Sequence, residues 1–204
     1  MIPRIEQKLE FSKSQYFFFL DWLKFKKAKI LHPERIICSR YFDNSILEMY
    51  FDTLEGIVPR KKIRIRTYNC EDFNNSKSPY SLEVKVTTEH KRLKEINRDI
   101  DFKSIIDNGI YDINYGLCHN KVDISYLREY FIIDDVRITI DKNIHYKKID
   151  NNVLSSKSDF EEDNYVLELK TSIEKSLTDL SNDFDFPRSR FSKYERAIQH
   201  LKIR

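Results

Sequence analysis

The sequence predicts an α+β domain built on a large antiparallel sheet, and three observations carry that prediction. Several segments alternate apolar and polar residues with period two, the pattern of strands with one buried face and one polar face. These segments outnumber those with helical spacing. The acidic pair Asp134-Asp135 reads as a tight hairpin turn, and the polar tracts 69–78 and 151–163 read as long hairpin loops, not domain linkers. Residues 1–204 are therefore expected to form a single domain.

In chain order, Arg4 to Phe11 alternates as a first strand. Lys13 to Lys27 follows with helical spacing and Ser12 or Ser14 as its cap. Arg35 to Asp43 is the next strand, and Ser45 to Leu54 a helix stopped by Gly56. Strands are expected at Lys61 to Tyr68 and Tyr80 to Thr87, with a weaker candidate at Lys91 to Asp99. Phe102 to Asn108 is a short helix stopped by Gly109. Val122 to Ile133 and Val136 to Ile140 flank the tight turn, and Tyr165 to Lys170 is the last strand. Helices are expected at Thr171 to Leu180 and Phe191 to Leu201.

Composition narrows the function. Lysine and arginine number 36 against 33 acids, a net charge of +3, while 34% of residues are charged and 40% hydrophobic. A core can form and disorder is not expected. Only three glycines occur, so neither a GxxxxGK[ST] phosphate loop nor a GxGxxG turn can be written. Any phosphate must be held by side chains. Cys38, Cys70 and Cys118 are odd in number and far apart, which argues against disulfides or a zinc knuckle and fits a reducing compartment. The five histidines include no HExxH pair. The N-terminus lacks the apolar stretch of a signal peptide, and a cytoplasmic protein is expected.

The chemistry lies on the strands. Glu6-Gln7-Lys8, Glu83-Val84-Lys85 and Glu168-Leu169-Lys170 each place a glutamate and a lysine two residues apart, and Arg64-Ile65-Arg66 does the same with arginines. Each phrase sends both charges to one strand face and its apolar residues to the other. On one strand this is what a solvated sheet face looks like. Four such strands in a sheet curled to a barrel would instead line a lumen. Cations then outnumber acids: Lys8, Arg64, Arg66, Lys85, Arg128, Arg137, Lys170 and Lys193 against Glu6, Glu83 and Glu168. Such a face needs an anion, and guanidinium forks match phosphate oxygens. The glutamates could then hold a hard cation, Mg²⁺ or Mn²⁺, together with substrate oxygens.

These residues resemble the VTC domain, the polyphosphate polymerase domain of the vacuolar transporter chaperone complex, within the triphosphate tunnel metalloenzyme (CYTH-like) superfamily. Glu6 and Lys8 resemble its first Glu-x-Lys, and Ser39-Arg40-Tyr41-Phe42-Asp43 its Ser-x-Tyr-Phe-Asp strand. Arg64 and Arg66 are similar to its Arg-x-Arg, and Glu83 and Lys85 to the second Glu-x-Lys. Tyr126-Leu127-Arg128 and Arg137-Ile138-Thr139-Ile140-Asp141 resemble the Tyr-x-Arg and Arg-x-Thr-x-Asp strands. Glu168-Leu169-Lys170 and Ser192-Lys193-Tyr194 resemble the late Glu-x-Lys and the Ser-Lys-Tyr signature. The ordered set carries the resemblance. Arg4 stands where the wider superfamily opens with a further glutamate.

The resemblance implies a closed eight-stranded antiparallel β-tunnel with helices packed outside. It implies a metal-dependent polyphosphate polymerase that moves the γ-phosphate of ATP onto a polyphosphate chain. Arg64, Arg66, Lys85, Arg128, Arg137, Lys170 and Lys193 would hold the phosphates, with Lys94 extending their path and Tyr126 and Ser192 adding neutral hydrogen bonds. Lys8 would neutralise charge near the transferred group, and Glu168, then Glu83, would bind the metal. A tripolyphosphatase or nucleoside triphosphatase using the same site is one alternative, and a noncatalytic polyphosphate sensor another. Nucleic acid is not an expected partner, because the basic residues are interleaved with acids. Export of the product would need a separate membrane protein, since the phosphoinositol-sensing and membrane-spanning segments of the fungal complex are not in this sequence. Two further features have plain expectations: Phe17, Phe18, Phe19 and Trp22 pack the first helix, and Lys24 to Lys29 form its solvated end, while Arg60, Lys61 and Lys62 could guide a product chain.

Overall fold

A computed structural model describes residues 5–69, 73–75, 78–149, 159–172, 174–183, 186 and 188–203. Arg4, Cys70 and most of the tract 151–163 lie outside them. The described residues form ten strands and five α-helices: β1 (Ile5–Phe11), α1 (Lys13–Phe25), β2 (Lys29–Asp43), α2 (Glu48–Glu55), β3 (Arg60–Tyr68), β4 (Ser81–Thr87), β5 (Arg92–Asn97), α3 (Phe102–Asn108), β6 (Ile110–Asp112), β7 (Gly116–Ile133), β8 (Val136–Lys148), β9 (Asp159–Glu161), β10 (Tyr165–Thr171), α4 (Glu174–Ser181) and α5 (Lys193–His200). The fold is an antiparallel, strand-dominated α+β fold.

The chain divides into two compact units: Met1–Arg35 with Tyr126–Ile144 and Glu161–Phe191, and Ile36–Ser125 with His145–Phe160 and Ser192–Arg204. Strands β2, β7 and β8 each contribute residues to both.

In the first unit the strands neighbour one another in the order β1-β10-β8-β7-β2. Register pairs Lys8 with Glu168, Glu6 with Lys170 and Lys170 with Arg137. The intervening Leu9, Leu167, Leu169, Ile138 and Ile140 therefore share the opposite face, where they are buried with Phe11, Phe19 and Leu23. Ser12 caps α1 by accepting from the Gln15 amide, and the Gln15 side chain accepts from the Ser12 amide in return. This capping box satisfies amides that the helix start leaves open. On α1, Tyr16, Phe19, Leu20 and Leu23 recur at helical spacing and pack on the core. The expectation that Phe17 and Phe18 also pack is corrected, because both point away from that stripe and are exposed. Asp134 takes a positive φ of 50° in the β7–β8 turn, as the acidic pair predicts.

In the second unit the order is β7-β2-β3-β4-β5, with β6 on β7. Cys38, Phe42, Ile63 and Ile65 are buried with Met49, Phe73 and Cys118 on one side of it. The opposite parity carries Ser39, Tyr41, Arg64, Arg66 and Glu83, with Ser39 across from Arg66, Tyr41 from Arg64, and Arg64 from Glu83. The weak candidate at 91–99 is a strand, β5, although every one of its residues is exposed. Strand β2 begins earlier than alternation suggests, because its opening stretch lacks a buried parity to mark it; strands β7 and β8 also run longer, and Cys118, Ile144 and Tyr146 in their added stretches are buried. The last predicted helix holds within two residues, and the 171–180 helix starts later because Thr171 still pairs with Ile5 in the sheet.

Candidate functional site

Two clusters of charge emerge, one in each unit. In the second unit Glu83 is a hub: its Oε2 accepts from Arg64 Nε at 2.8 Å and Nη2 at 2.6 Å, and its Oε1 accepts from Lys94 Nζ at 2.7 Å. Arg66 Nη1 lies 3.7 Å from the same carboxylate. Burial alone would raise the Glu83 carboxyl, but Arg64, Arg66 and Lys94 outweigh it and hold the group at about 2. Burial lowers the Lys94 ammonium, against the support it receives from Glu83. Arg64 Nη1 also donates to the Tyr41 hydroxyl at 2.7 Å, and Arg66 Nε donates to Ser39 Oγ at 3.1 Å. Burial would raise the Tyr41 phenol, yet Arg64, Arg66 and Lys193 bring it below its ordinary value.

Lys62, Lys85 and Lys94 face one another in register across β3, β4 and β5. Lys62 Nζ donates to Ser192 Oγ at 2.8 Å, and Ser192 caps α5 by accepting from the Glu195 amide. Ser192 is thus both a helix cap and a partner of the cationic face. Lys193 opens α5. Its neighbour Tyr194 stacks on Tyr41 with ring centroids 5.1 Å apart and donates to Asp43 Oδ2 at 2.6 Å. Asp43 accepts in addition from the amides of Asn44, Met49 and Tyr50, so it ties β2, α2 and α5 together. Burial raises both the Asp43 carboxyl and the Tyr194 phenol. Tyr194→Phe would leave Asp43 short of one buried donor, and is expected to cost about 1–3 kcal/mol in urea unfolding.

The basic run 60–62 separates by parity and loop position. Arg60 Nη1 donates to the Gly56 and Ile57 carbonyls, and Lys61 pairs with Asp112 at 2.8 Å. Lys62 joins Lys85 and Lys94 on the polar face. Arg40, inside the Ser-Arg-Tyr-Phe-Asp phrase, points the other way and grips Asp123 with both Nε and Nη2, at 2.7 and 2.6 Å.

In the first unit Lys170 Nζ lies 3.0 Å from Glu168 and 3.6 Å from Glu6, and Lys8 Nζ 3.7 Å from Glu6. Lys8 also donates to the Phe191 carbonyl at 3.0 Å. The Glu168 carboxyl is buried, which would raise it. Lys170, a hydrogen bond with Glu6, Lys8 and Arg128 together hold it well below the usual carboxylate range. Arg128 Nη2 donates to Asp141 Oδ2 at 2.6 Å, with Nε on the other oxygen, and the guanidinium carbon sits 5.2 Å from the buried Tyr126 ring. Asp141 drives Arg128 further up against its burial. Arg137 shares this parity but is exposed.

The predicted residues therefore fall into two groups: Arg64, Arg66, Glu83, Lys85, Lys94, Ser192 and Lys193 in one unit, and Lys8, Tyr126, Arg128, Arg137, Glu168 and Lys170 in the other. Tyr41, Lys62, Asp141 and Glu6 join them. Strand parity could have found Lys62, Asp141 and Glu6, since each lies an even number of residues from a predicted site residue on its strand, whereas β2 carries no predicted site residue to point to Tyr41. Among the described residues no three acid, histidine or cysteine side chains cluster as metal ligands.

The VTC domain family model matches residues 6–115 and 108–202. No curated protein sequence matches the chain. Among solved structures, the chain is similar to an adenylyl cyclase-type protein from Hippeastrum, whose description reports a dominant triphosphatase activity. The identity is 15%, the TM-score 0.55, and 97% of this chain and 96% of that one are covered. It is similar to an adenylate cyclase-type protein from Vibrio parahaemolyticus at 15% identity and TM-score 0.55, covering 95% of this chain and 97% of that one. A chain of the Schizosaccharomyces pombe Mediator head module also matches, at 10% identity and TM-score 0.50, covering 91% of this chain and 99% of that one. These likenesses concern the fold, which hosts more than one function.

Proposed function

Because the chain belongs to the VTC domain family, we propose that it is a metal-dependent polyphosphate polymerase in which residues 1–204 form one closed eight-stranded tunnel. The observation that carries this reading is the charge arrangement on the strands. Four cations of the second unit, Arg64, Arg66, Lys94 and Lys85, share their strand face with Glu83, which is already ion-paired with three of them, while Glu95 of β5 has the opposite parity. A phosphate chain supplies the missing negative charge.

Arg64, Arg66, Lys85, Arg128, Arg137, Lys170 and Lys193 bind phosphate oxygens, Lys94 extends the path, and Tyr126 and Ser192 add neutral hydrogen bonds. Lys8 neutralises charge at the transferred group. The terminal oxygen of the polyphosphate attacks the γ-phosphorus as its bond to the β-γ bridging oxygen breaks, and ADP leaves. Alignment and charge neutralisation supply the rate, so no dedicated base is required.

Glu168 suits a divalent metal: it is buried and held ionised, and the Glu6 carboxyl lies within hydrogen-bonding reach, so two hard oxygen ligands adjoin. A bound Mg²⁺ or Mn²⁺ would neutralise phosphate oxygens there. Glu83 fits less well, since both its oxygens accept from cations.

A triphosphatase is the second reading, favoured by the triphosphatase activity described for the Hippeastrum protein. Incubating purified protein with ATP and Mn²⁺ separates the two. A ladder of long-chain polyphosphate is expected, whereas ADP and orthophosphate without a ladder would favour the hydrolase. Tight metal-independent polyphosphate binding without turnover would favour a sensor.

A further inference from the structure

Helix α1 has two faces of different character. Tyr16, Phe19, Leu20 and Leu23 pack into the core of its unit. On the other side Phe17, Phe18 and Phe25 are 66%, 76% and 79% exposed, and Ile30, just after the helix on β2, is 75% exposed. Phe17, Phe18 and Phe25 lie at i, i+1 and i+8 and so spread over about 100° of the solvent face, with the exposed Asp21–Lys24 pair between them. Three benzene rings on one face are more than the scattered apolar exposure of ordinary surfaces.

The charges around them have one sign. The segment 13–29 carries five lysines, Lys13, Lys24, Lys26, Lys27 and Lys29, against one acid, Asp21. Asp21 is neutralised by Lys24 at 3.0 Å, and Lys26 pairs with Asp183 at 2.7 Å. Lys13, Lys27 and Lys29, in the same segment, are exposed. Aromatic rings flanked by lysines on a helix that is otherwise anchored are the composition of an interfacial helix on an anionic bilayer. Among the described residues no helix is long and apolar enough to cross a membrane, so contact through α1 would be with the surface.

We propose that α1 docks this chain directly on an anionic lipid surface, with Phe17, Phe18 and Phe25 entering the headgroup region and Lys13, Lys27 and Lys29 meeting lipid phosphates and carboxylates. A bilayer is the better match than a protein partner, because rings projecting from a convex helix need no complementary pocket in a fluid. The lysines then meet a surface of opposite charge, where each basic residue adds to the attraction. The inference is independent of the proposed polymerase activity, since Phe17, Phe18, Phe25, Lys13 and Lys27 lie outside the strands and Lys29 only opens β2, away from the proposed phosphate-binding residues.

The chain has a single tryptophan, Trp22, and it lies on this helix one turn from Phe18. Full-length protein mixed with phosphatidylcholine vesicles containing roughly one-third phosphatidylserine should co-sediment. Brominated acyl chains should quench Trp22, and salt or omission of phosphatidylserine should weaken binding. Phe17→Ser combined with Phe18→Ser should lower vesicle affinity at least about tenfold with the melting transition unchanged, since both side chains are exposed. Lys27→Glu with Lys29→Glu provides a second variant and should lower it by a similar factor. Absence of vesicle binding would overturn the proposal. So would binding retained by both variants, or a dimer in light scattering that the serine variant abolishes, which would assign this face to a second copy of the chain.

Discussion

Lys170→Ala is expected to lower turnover of ATP by about 10²–10³-fold while the protein still unfolds in one cooperative step. Its ammonium touches Glu168 at 3.0 Å, yet the side chain is 32% exposed, so it can turn from the carboxylate toward an arriving phosphate. Losing it removes a cation from the point where negative charge would gather. Some stability is lost as well, because buried Glu168 loses its foremost cation, but Lys8 and Arg128 remain beside it, so the folded population should persist. Glu168→Gln belongs to the same test. It keeps the shape of the side chain but removes the carboxylate best suited to a metal, so turnover should fall and its dependence on Mn²⁺ should weaken. Product formation and a thermal melt on each variant provide the check. Full activity in Lys170→Ala would remove this strand from the site.

Glu83→Gln should behave differently, with its main effect on stability. The folded carboxyl at about 2 lies below its ordinary 4.5, and that difference corresponds to about 3 kcal/mol. The sign follows from the depression: ionised Glu83 stabilises the fold above its unfolded value, and that contribution is lost as pH falls from 4.5 toward 2. The variant should therefore unfold at lower urea than the parent at neutral pH, by about 3 kcal/mol, and the two should converge in acid. Lys94 works against the carboxylate, because its ammonium is held below its ordinary value by burial and depends on Glu83 for support. In E83Q that support disappears, and Arg64, Arg66 and Lys94 repel one another across a buried gap. A deficit that persists unchanged in acid would show that Glu83 acts through shape and not through charge.

These two expectations separate the glutamates that looked alike in sequence. Glu6, Glu83 and Glu168 each precede a lysine by two residues on an alternating strand, and nothing in the phrase ranks them. The neighbours rank them. Register sets Glu83 across from Arg64, and Lys94 reaches its second oxygen from β5. Glu168 lies across from Lys8 and within reach of Glu6. One glutamate has become a counterion, and the other is a carboxylate with a carboxyl group beside it.

The same distinction applies to the aromatic and basic runs. Phe17, Phe18 and Phe19 are identical in type, but successive positions on a helix turn by about 100°, so Phe19 is buried while its two neighbours are exposed. Arg60, Lys61 and Lys62 are equally basic, but Lys61 has the opposite parity and Arg60, though it shares the parity of Lys62, donates to the Gly56 and Ile57 carbonyls. Ser39, Tyr41 and Lys62 were legible as strand residues but not as partners of Arg66, Arg64 and Ser192, because hydrogen bonds across strands depend on register, which alternation leaves open by steps of two.

By itself the sequence determined the strand-dominated α+β class, the absence of any glycine phosphate cradle, and which side chains share a face on each strand. Those properties follow from local periodicity and composition, which need no knowledge of distant residues. Only the tertiary structure decided which carboxylate meets which cation, that Asp43 and Tyr194 join β2 to α5, and that three phenylalanines of α1 face solvent. Such contacts join distant residues, 151 positions apart for Asp43 and Tyr194. They are set by strand register and by packing against neighbours, neither of which a local pattern contains.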